Sequence, residues 1–364
     1  MGGKAIEGSR RIKKEEYDEI THDIKKLLET LFDEVYFPKN VREKLDHGDI
    51  DAFVGGIKNK EITMNDIEKE TENAKTLMAK ITVLFKGKNF QHTKGHSTYN
   101  FGYYHKEDVE PIQIDVNISN KPKLYSQVSS YGTLNRYISN IATHVINVTY
   151  YRDGLWFKIN EDDKLLLTDN FEDMLNFVGF NYDSWEKGFD TYHDLLKFII
   201  KSKYYNNNIF LDQKMINKHK ELRDSQRKLD ILFIKYLDGQ KLDVLFKKYL
   251  IKIIKQIRPN PLKHFNKEQD YKNIIKCKEK YDRAFTFFLS DKKIQLNKKQ
   301  ITDFKSRFEK YIEMNQQKIF INWCVESNID IMISDIFIFY DNIYQHDLVG
   351  GMNNNLFYYT HRNL

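Results

Sequence analysis

Near the start of the chain, apolar residues return at helical spacing. Tyr17, Ile20, Ile24, Leu27, Leu28 and Leu31 share one face of the stretch Lys13–Phe32, which predicts an amphipathic helix. The pattern then contracts to the strand-like EVYF, closed by Pro38. From Asp49 to Val54 it alternates, with Ile50, Ala52 and Val54 on one side and Asp49, Asp51 and Phe53 on the other. A helical run over Met64–Leu84 and a strand rich in Tyr and Phe over Ser97–His105 come next. A second alternating strand, Glu110–Ser119, sets Ile112, Ile114, Val116 and Ile118 against Gln113, Asp115 and Asn117. YGTLNRYISNIATHVI reads as a helix and LWFKIN as a strand.

After about Leu165 the texture changes to successive amphipathic helices: TDNFEDMLNFVG, TYHDLLKFIIKSKYY, RDSQRKLDILFIKYL and LDVLFKKYLIKIIKQI. Thr168 and Thr191 are the expected N-caps of the first two. RPNPLKHF, Arg258–Phe265, is the clear proline break, after which helices resume to about Asn328. No period of about 20–50 residues recurs, which excludes a repeat array. The expected architecture is α+β, a mixed sheet with flanking helices over residues 1–164, followed by a mainly helical domain over residues 165–364.

Composition sharpens this only a little. A chain of 364 residues that is 41% hydrophobic and 14% aromatic is too apolar to be disordered and long enough for two domains. The net charge of +6 is a weak pointer to a polyanionic partner, and the lysine-rich, acid-poor stretch Lys241–Lys280 concentrates it. That stretch reads equally as a solvated helix face, and Tyr249, His264, Phe265 and Tyr271 within it as helix-spaced packing groups or base-stacking platforms. Cys277 and Cys324 have no metal spacing, so a reducing interior is expected. No apolar run reaches the ~18 residues of a membrane span, and MGGKAI lacks a signal-peptide core. Ile6 stands where a myristoylation motif prefers Ser or Thr. The expectation is therefore a cytoplasmic protein that does not enter membranes.

The densest chemistry is KLDHGDIDAFVGG, Lys44–Gly56. Two residues apart in a strand, Asp49 and Asp51 face one way, roughly 7 Å apart along it. Asp is uncommon in strands, which speaks against an ordinary solvated edge. Asp115, in an otherwise apolar strand, supplies a third carboxylate. Such a corner repels itself unless a hard cation fills it, and Mg²⁺ favours carboxylate, water and phosphate oxygens. Gly48 permits close approach of a phosphate or a tight entry to the strand, and Lys44 offers a point charge to phosphate. His47 would donate to a phosphate or cap the turn. By contrast NIDIMISD (Asn328–Asp335) and KLDVLF (Lys241–Phe246) lack the paired aspartate and preceding glycine, and read as structural. HTKGH spaces His92 and His96 by four, but Gly95 interrupts a helix there and no zinc site is expected. Trp156 reads as core.

The D-h-D pair and the later lone aspartate resemble the nucleotidyltransferase superfamily typified by DNA polymerase beta, poly(A) polymerases and tRNA CCA-adding enzymes. The order GGKAI…RRIKKEEY, KLDHGDIDAFV, VEPIQIDVNI, YGTLNRYISNIATHVINVTYYRDGLWFKI and RDSQRKLDILFIKYL is most similar to nucleotidyltransferase-like proteins of giant DNA viruses and fungi, over roughly Gly2–Leu237. The resemblance implies a polymerase-beta-like catalytic domain in which Asp49, Asp51 and Asp115 bind Mg²⁺ or Mn²⁺ and carry catalysis. Nucleotide contacts are expected from Lys44, Gly48, Ser130, Tyr131 and Arg136, with ATP as the NTP; the resemblance carries over no defined acceptor, and an RNA 3′ end is expected first because it suits the basic second half of the chain. A protein side chain or small molecule is an alternative acceptor. A fold-retaining, catalytically inactive RNA-binding protein is the other alternative, because the superfamily's Gly-Ser turn before the pair is missing: only YFPKNVREKLDHG stands there, with Gly2–Gly3–Lys4 or Ser129–Ser130 as substitutes. A viral origin would place the protein in host cytoplasm or a viral factory.

Overall fold

The computed structural model describes residues 5–87, 90–92, 98–106, 108, 110–160, 163–205, 259–294, 296–316 and 320–344. The helices expected in RDSQRKLDILFIKYL and LDVLFKKYLIKIIKQI lie outside these residues. The chain divides into two compact units, residues 1–265 and 266–364, a later boundary than the 164/165 division expected from the change of texture. The helices that follow residue 165 share an apolar core with Leu124, Tyr137, Ile141, Tyr150, Leu155 and Leu167, a cluster separate from the one that contains Ile50 and Ile114, so the change of texture falls inside a shared core.

In the first unit, β1 (Ile12–Lys13) leads into α1 (Lys14–Leu28), then β2 (Phe32–Tyr36), β3 (Asp46–His47) and β4 (Ile50–Ile57). Helices α2 (Met64–Lys69) and α3 (Glu72–Leu84) precede β5 (Phe90–His92), β6 (Thr98–Tyr103) and β7 (Ile112–Ile118). The single helix expected over Met64–Leu84 is thus two. Thr63 and Asp66 form a capping box for α2, Glu70 closes it in the left-handed region at φ 52°, and Thr71 starts α3. The five-stranded sheet has the order β2-β4-β7-β6-β5 and is mixed: β4 and β7 are parallel, and the other pairs antiparallel.

One face of this sheet is apolar. Ile50, Ala52 and Val54 of β4 and Ile112, Ile114, Val116 and Ile118 of β7 join Ile20, Ile24 and Leu28 of α1 and Leu77, Met78 and Ile81 of α3 in a single core. Each such aliphatic side chain contributes about 2 kcal/mol by leaving water. The alternation in the sequence therefore marks the two faces of both central strands correctly. Because β4 and β7 lie next to each other, their polar positions come side by side on the opposite face. At the far end of β4, Gly55 leaves no space for a side chain, since a Cβ would fall 2.7 Å from the Ser119 carbonyl oxygen.

Among the described residues the unit continues with α4 (Pro122–Ser129), α5 (Leu134–Ile141) with a π-helical turn at 142–146, a meander of β8 (Thr149–Tyr151), β9 (Gly154–Lys158) and β10 (Lys164–Thr168), and α6 (Phe171–Phe177), α7 (Tyr182–Lys187) and α8 (Tyr192–Ile200). Thr191 caps α8 in a capping box with Asp194, as expected. Thr168 does not cap α6. Asn170 does, and the Thr168 hydroxyl accepts from the Asn170 N–H instead. The proline break RPNPLKHF contains a short helix, α9 (Pro261–His264), with proline at its first position and Asn260 as cap. His264 and Phe265 pack on Phe177, which makes them packing groups.

The described part of the second unit is helical: α10 (Glu268–Asp291), α11 (Lys298–Gln316), α12 (Phe320–Glu326) and α13 (Ile329–Phe339). Its core is aromatic, with Phe288, Phe304, Phe308 and Phe339 fully buried around Trp323. Asp335 accepts the Trp323 indole N–H at 3.0 Å, so NIDIMISD has the structural role expected of it. No helix among the described residues is long and apolar enough to cross a membrane.

Candidate functional site

Asp51 and Asp115 are register partners on the adjacent parallel strands β4 and β7. Directly paired residues on one sheet face have their Cβ atoms about 5 Å apart. Asp49 stands immediately before β4, after the short connection through Gly48 from β3. It lies one residue outside the strand in which it was expected. Asp49 and Asp115 both act on Asp51 and disfavour its ionisation. Asp51 is open to solvent at the start of β4, yet packed protein crowds its carboxylate. Crowding, then Asp49, then Asp115 push its pKa up to about 7, and solvent access trims the size of that shift without changing its sign.

The Asp115 carboxylate is held from two sides. Asn100 Nδ2, from the paired position on β6, donates to Oδ1 at 2.6 Å, and Gln113 Nε2 donates to the same oxygen at 2.8 Å. Among the described residues, the one set of three His, Cys, Asp or Glu whose donor atoms all lie within 4.8 Å of one another is a different one, Glu19, Asp23 and His105. The three aspartates are neighbours without being drawn into such a closed cage. The Glu19 set already has a cation, since Lys106 Nζ lies 2.6 Å from the Glu19 carboxylate and holds its pKa down.

Cations also surround the aspartates. Arg152 and Lys44 both favour the charged form of Asp51, and Arg11, paired with Asp46, feels Asp49. Lys44 is half-buried and donates to Asn40 Oδ1 at 3.1 Å; burial lowers its pKa, against the pull of Asp49, Asp51 and Asp46. Tyr17 of α1 completes the wall. Its phenol accepts from Asn40 at 3.2 Å, and burial first, then Asp51 and Asp49, raise its pKa. Tyr17 stacks on His47 with centroids 3.8 Å apart. Burial pushes His47 down to about 4, so at neutral pH it is an uncharged packing partner and not a phosphate-binding cation.

A cleft of about 660 Å³ adjoins this wall. Lys14, Tyr17, Phe37, Lys39, Arg42, Lys44, His47, Tyr131 and Phe189 are among its lining residues. A volume of that size suits a nucleotide-sized ligand. Of the nucleotide-contact candidates, Lys44 and Tyr131 line it, and Gly48 lies at the approach to β4. Tyr131 is buried, with φ 59°, and its hydroxyl donates to the Trp185 carbonyl at 3.0 Å. Ser130 is not brought to the cleft. Its hydroxyl accepts from the Lys39 N–H and donates to the Ser126 carbonyl, both at 2.9 Å, and it is 3% exposed. Arg136 lies over the Tyr137 ring and is not among the cleft residues. Trp156 is half-buried, donates to Asp153 at 3.0 Å and lies under the Lys164 ammonium.

Sequence reading missed Arg152, Tyr17, Asn40, Asn100 and the role of Gln113. Arg152 had a usable signal: with Asp153 it forms the two-residue loop of the β8–β9 hairpin, a place where a cation is presented at a tip. Gln113 shares the polar side of β7 with Asp115 in the alternation itself. No protein-family model matches the chain, and no curated protein matches it.

Proposed function

We propose that the protein is a metal-dependent nucleotidyltransferase that moves a nucleoside monophosphate from an NTP, ATP in the first instance, to an acceptor hydroxyl, with an RNA 3′ end as the leading acceptor. The observation that carries the reading is the pairing of Asp51 with Asp115 on adjacent parallel strands, with Asp49 leading into the first of them. An all-oxygen donor set whose members repel one another fits a hard divalent cation such as Mg²⁺ or Mn²⁺, and Asp49 and Asp115 add to the crowding that raises the pKa of Asp51. When bound, the ion supplies charge stabilisation and acidifies an oxygen ligand.

The chain's own groups do the rest. Asp49 and Asp51 hold the triphosphate side and Asp115 the acceptor side. Lys44 and Arg152 offset phosphate charge beside the aspartates, where positioned cations are worth most. The adjoining cleft is lined by Lys14, Lys39, Arg42 and Lys44 together with Asp18 and Glu186, with Lys39 paired to Glu186 and Arg42 to Asp190, and Tyr17, Phe37 and Phe189 give it apolar walls. A second reading is a nucleotidyltransferase fold kept for RNA binding without catalysis. The engagement of Ser130 in backbone contacts favours it, since that removes one substitute for the Gly-Ser turn.

Calorimetry with Mg²⁺ and each NTP separates the two. The transferase reading expects metal-dependent affinity for at least one NTP, lost in Asp51→Asn. RNA binding with no affinity for any NTP would overturn it in favour of the second.

A further inference from the structure

Gln113 is 3% exposed and bridges two parts of the chain that are far apart in sequence. Its Oε1 accepts the backbone N–H of Ala5 at 2.8 Å and of Ile6 at 3.2 Å, while its Nε2 donates to Asp115 Oδ1 at 2.8 Å. The amide cannot be turned over. Backbone N–H groups only donate, so the carbonyl must face Ala5 and Ile6, and the nitrogen must then face the carboxylate. The segment bearing Ala5 and Ile6 is itself fixed to the sheet. Ile6 is buried at 8% exposure, the Arg10 N–H donates to the Pro111 carbonyl at 2.9 Å, and the Arg10 side chain pairs with Asp108 at 2.7 Å.

We propose that Gln113 is a positioning residue for Asp115, oriented by the amino-terminal strap at Ala5 and Ile6, so that this strap is part of the metal site's supporting structure. The inference rests on the transferase reading of the aspartates. A carboxylate oxygen gripped by two amide donors, from Gln113 and Asn100, cannot swivel about its terminal bond, so the direction of the whole carboxylate is set before a cation arrives. Partners that orient metal ligands in this way typically matter 10–100-fold in affinity.

The test is Mn²⁺ binding to the full chain, followed by the loss of the free-ion electron paramagnetic resonance signal, in wild type, Gln113→Met, Gln113→Glu and Asp51→Asn. Gln113→Met keeps the length but removes donor and acceptor. Gln113→Glu keeps the acceptor for Ala5 and Ile6 but turns an oxygen toward Asp115. Both are expected to weaken Mn²⁺ binding by about 10–100-fold while thermal unfolding stays cooperative. In transfer assays they should raise the metal concentration for half-maximal rate by a similar factor, with KM for the nucleotide at saturating metal within about 3-fold of wild type. A purely structural residue would lower the unfolding temperature and leave the metal affinity of the folded protein where it was. Wild-type affinity in either folded variant overturns the proposal, as does failure of both to fold. If wild type shows no Asp51-dependent Mn²⁺ binding, the transferase reading itself falls, a result distinct from normal binding in the Gln113 variants.

Discussion

The first unit carries two clusters of acidic groups, and they are built on opposite principles. Glu19, Asp23 and His105 lie close together, and a lysine ammonium at 2.6 Å already answers the Glu19 charge. Asp49, Asp51 and Asp115 are more loosely gathered, and crowding first, then the charges of Asp49 and Asp115, lifts Asp51 to about 7. Proximity of ligand atoms is therefore a poor guide to which cluster awaits a cation. On the proposed reading, carboxylates paired across neighbouring strands are the better guide, because the sheet keeps Asp51 and Asp115 from relaxing apart.

The contrast can be broken most forcefully by neutralising each cluster in turn. Asp51→Asn or Asp115→Asn should reduce nucleotide transfer by at least about 1,000-fold, whereas Glu19→Gln and Asp23→Asn should stay within about 2-fold in the same assay. Equal losses in both sets would erase the distinction. A smaller effect is expected from the cations beside the aspartates. Lys44→Met and Arg152→Met should each lower kcat/KM about 10–100-fold, mainly through KM for the NTP.

Stability offers a finer contrast. A carboxyl whose folded pKa is raised favours the folded state while protonated, and that advantage is lost as pH climbs from about 4 to about 7. Without divalent metal at pH 8, Asp51→Asn should therefore unfold later than wild type. The gain is on the order of 1 kcal/mol, because solvent reaches the carboxylate and screens much of the repulsion. The gap should close as the pH falls toward about 4, as differential scanning calorimetry can show. Last, Lys106→Ala removes the counter-ion of Glu19 at the surface and should shift the unfolding temperature by less than about 2 °C.

How far the site was legible in the sequence follows from which of its relations are local. Strand periodicity led to the expectation that Asp49 and Asp51 share a face, although Asp49 stands just before β4, and β7 announces its buried and polar faces by simple alternation. The resemblance to nucleotidyltransferases supplied the expectation that Asp115 belongs with them. That β7 lies beside β4 is a long-range pairing that no local pattern encodes. The same is true of Asn100, which reaches Asp115 from β6, and of Arg152, which arrives on a hairpin of another sheet. Ser130 misled because a hydroxyl near a helix end is satisfied as readily by neighbouring backbone as by a ligand. His47 lines the cleft with its ring buried against Tyr17, a contact from α1 that no local pattern encodes. The core that α6 and α8 share with α4 and α5 is likewise a product of long-range packing that the change of texture near residue 165 does not encode.

The most direct measurement is incubation of the full chain with Mg²⁺, each labelled NTP in turn and total RNA, followed by resolution of labelled products from free nucleotide. Transfer of label from at least one NTP to an acceptor, the RNA or the protein itself, with release of pyrophosphate, is the predicted result. It should disappear in Asp115→Asn while the unfolding curve of that variant matches wild type. Undiminished transfer by Asp115→Asn, or no transfer together with no metal-dependent NTP affinity in wild type, would contradict the account.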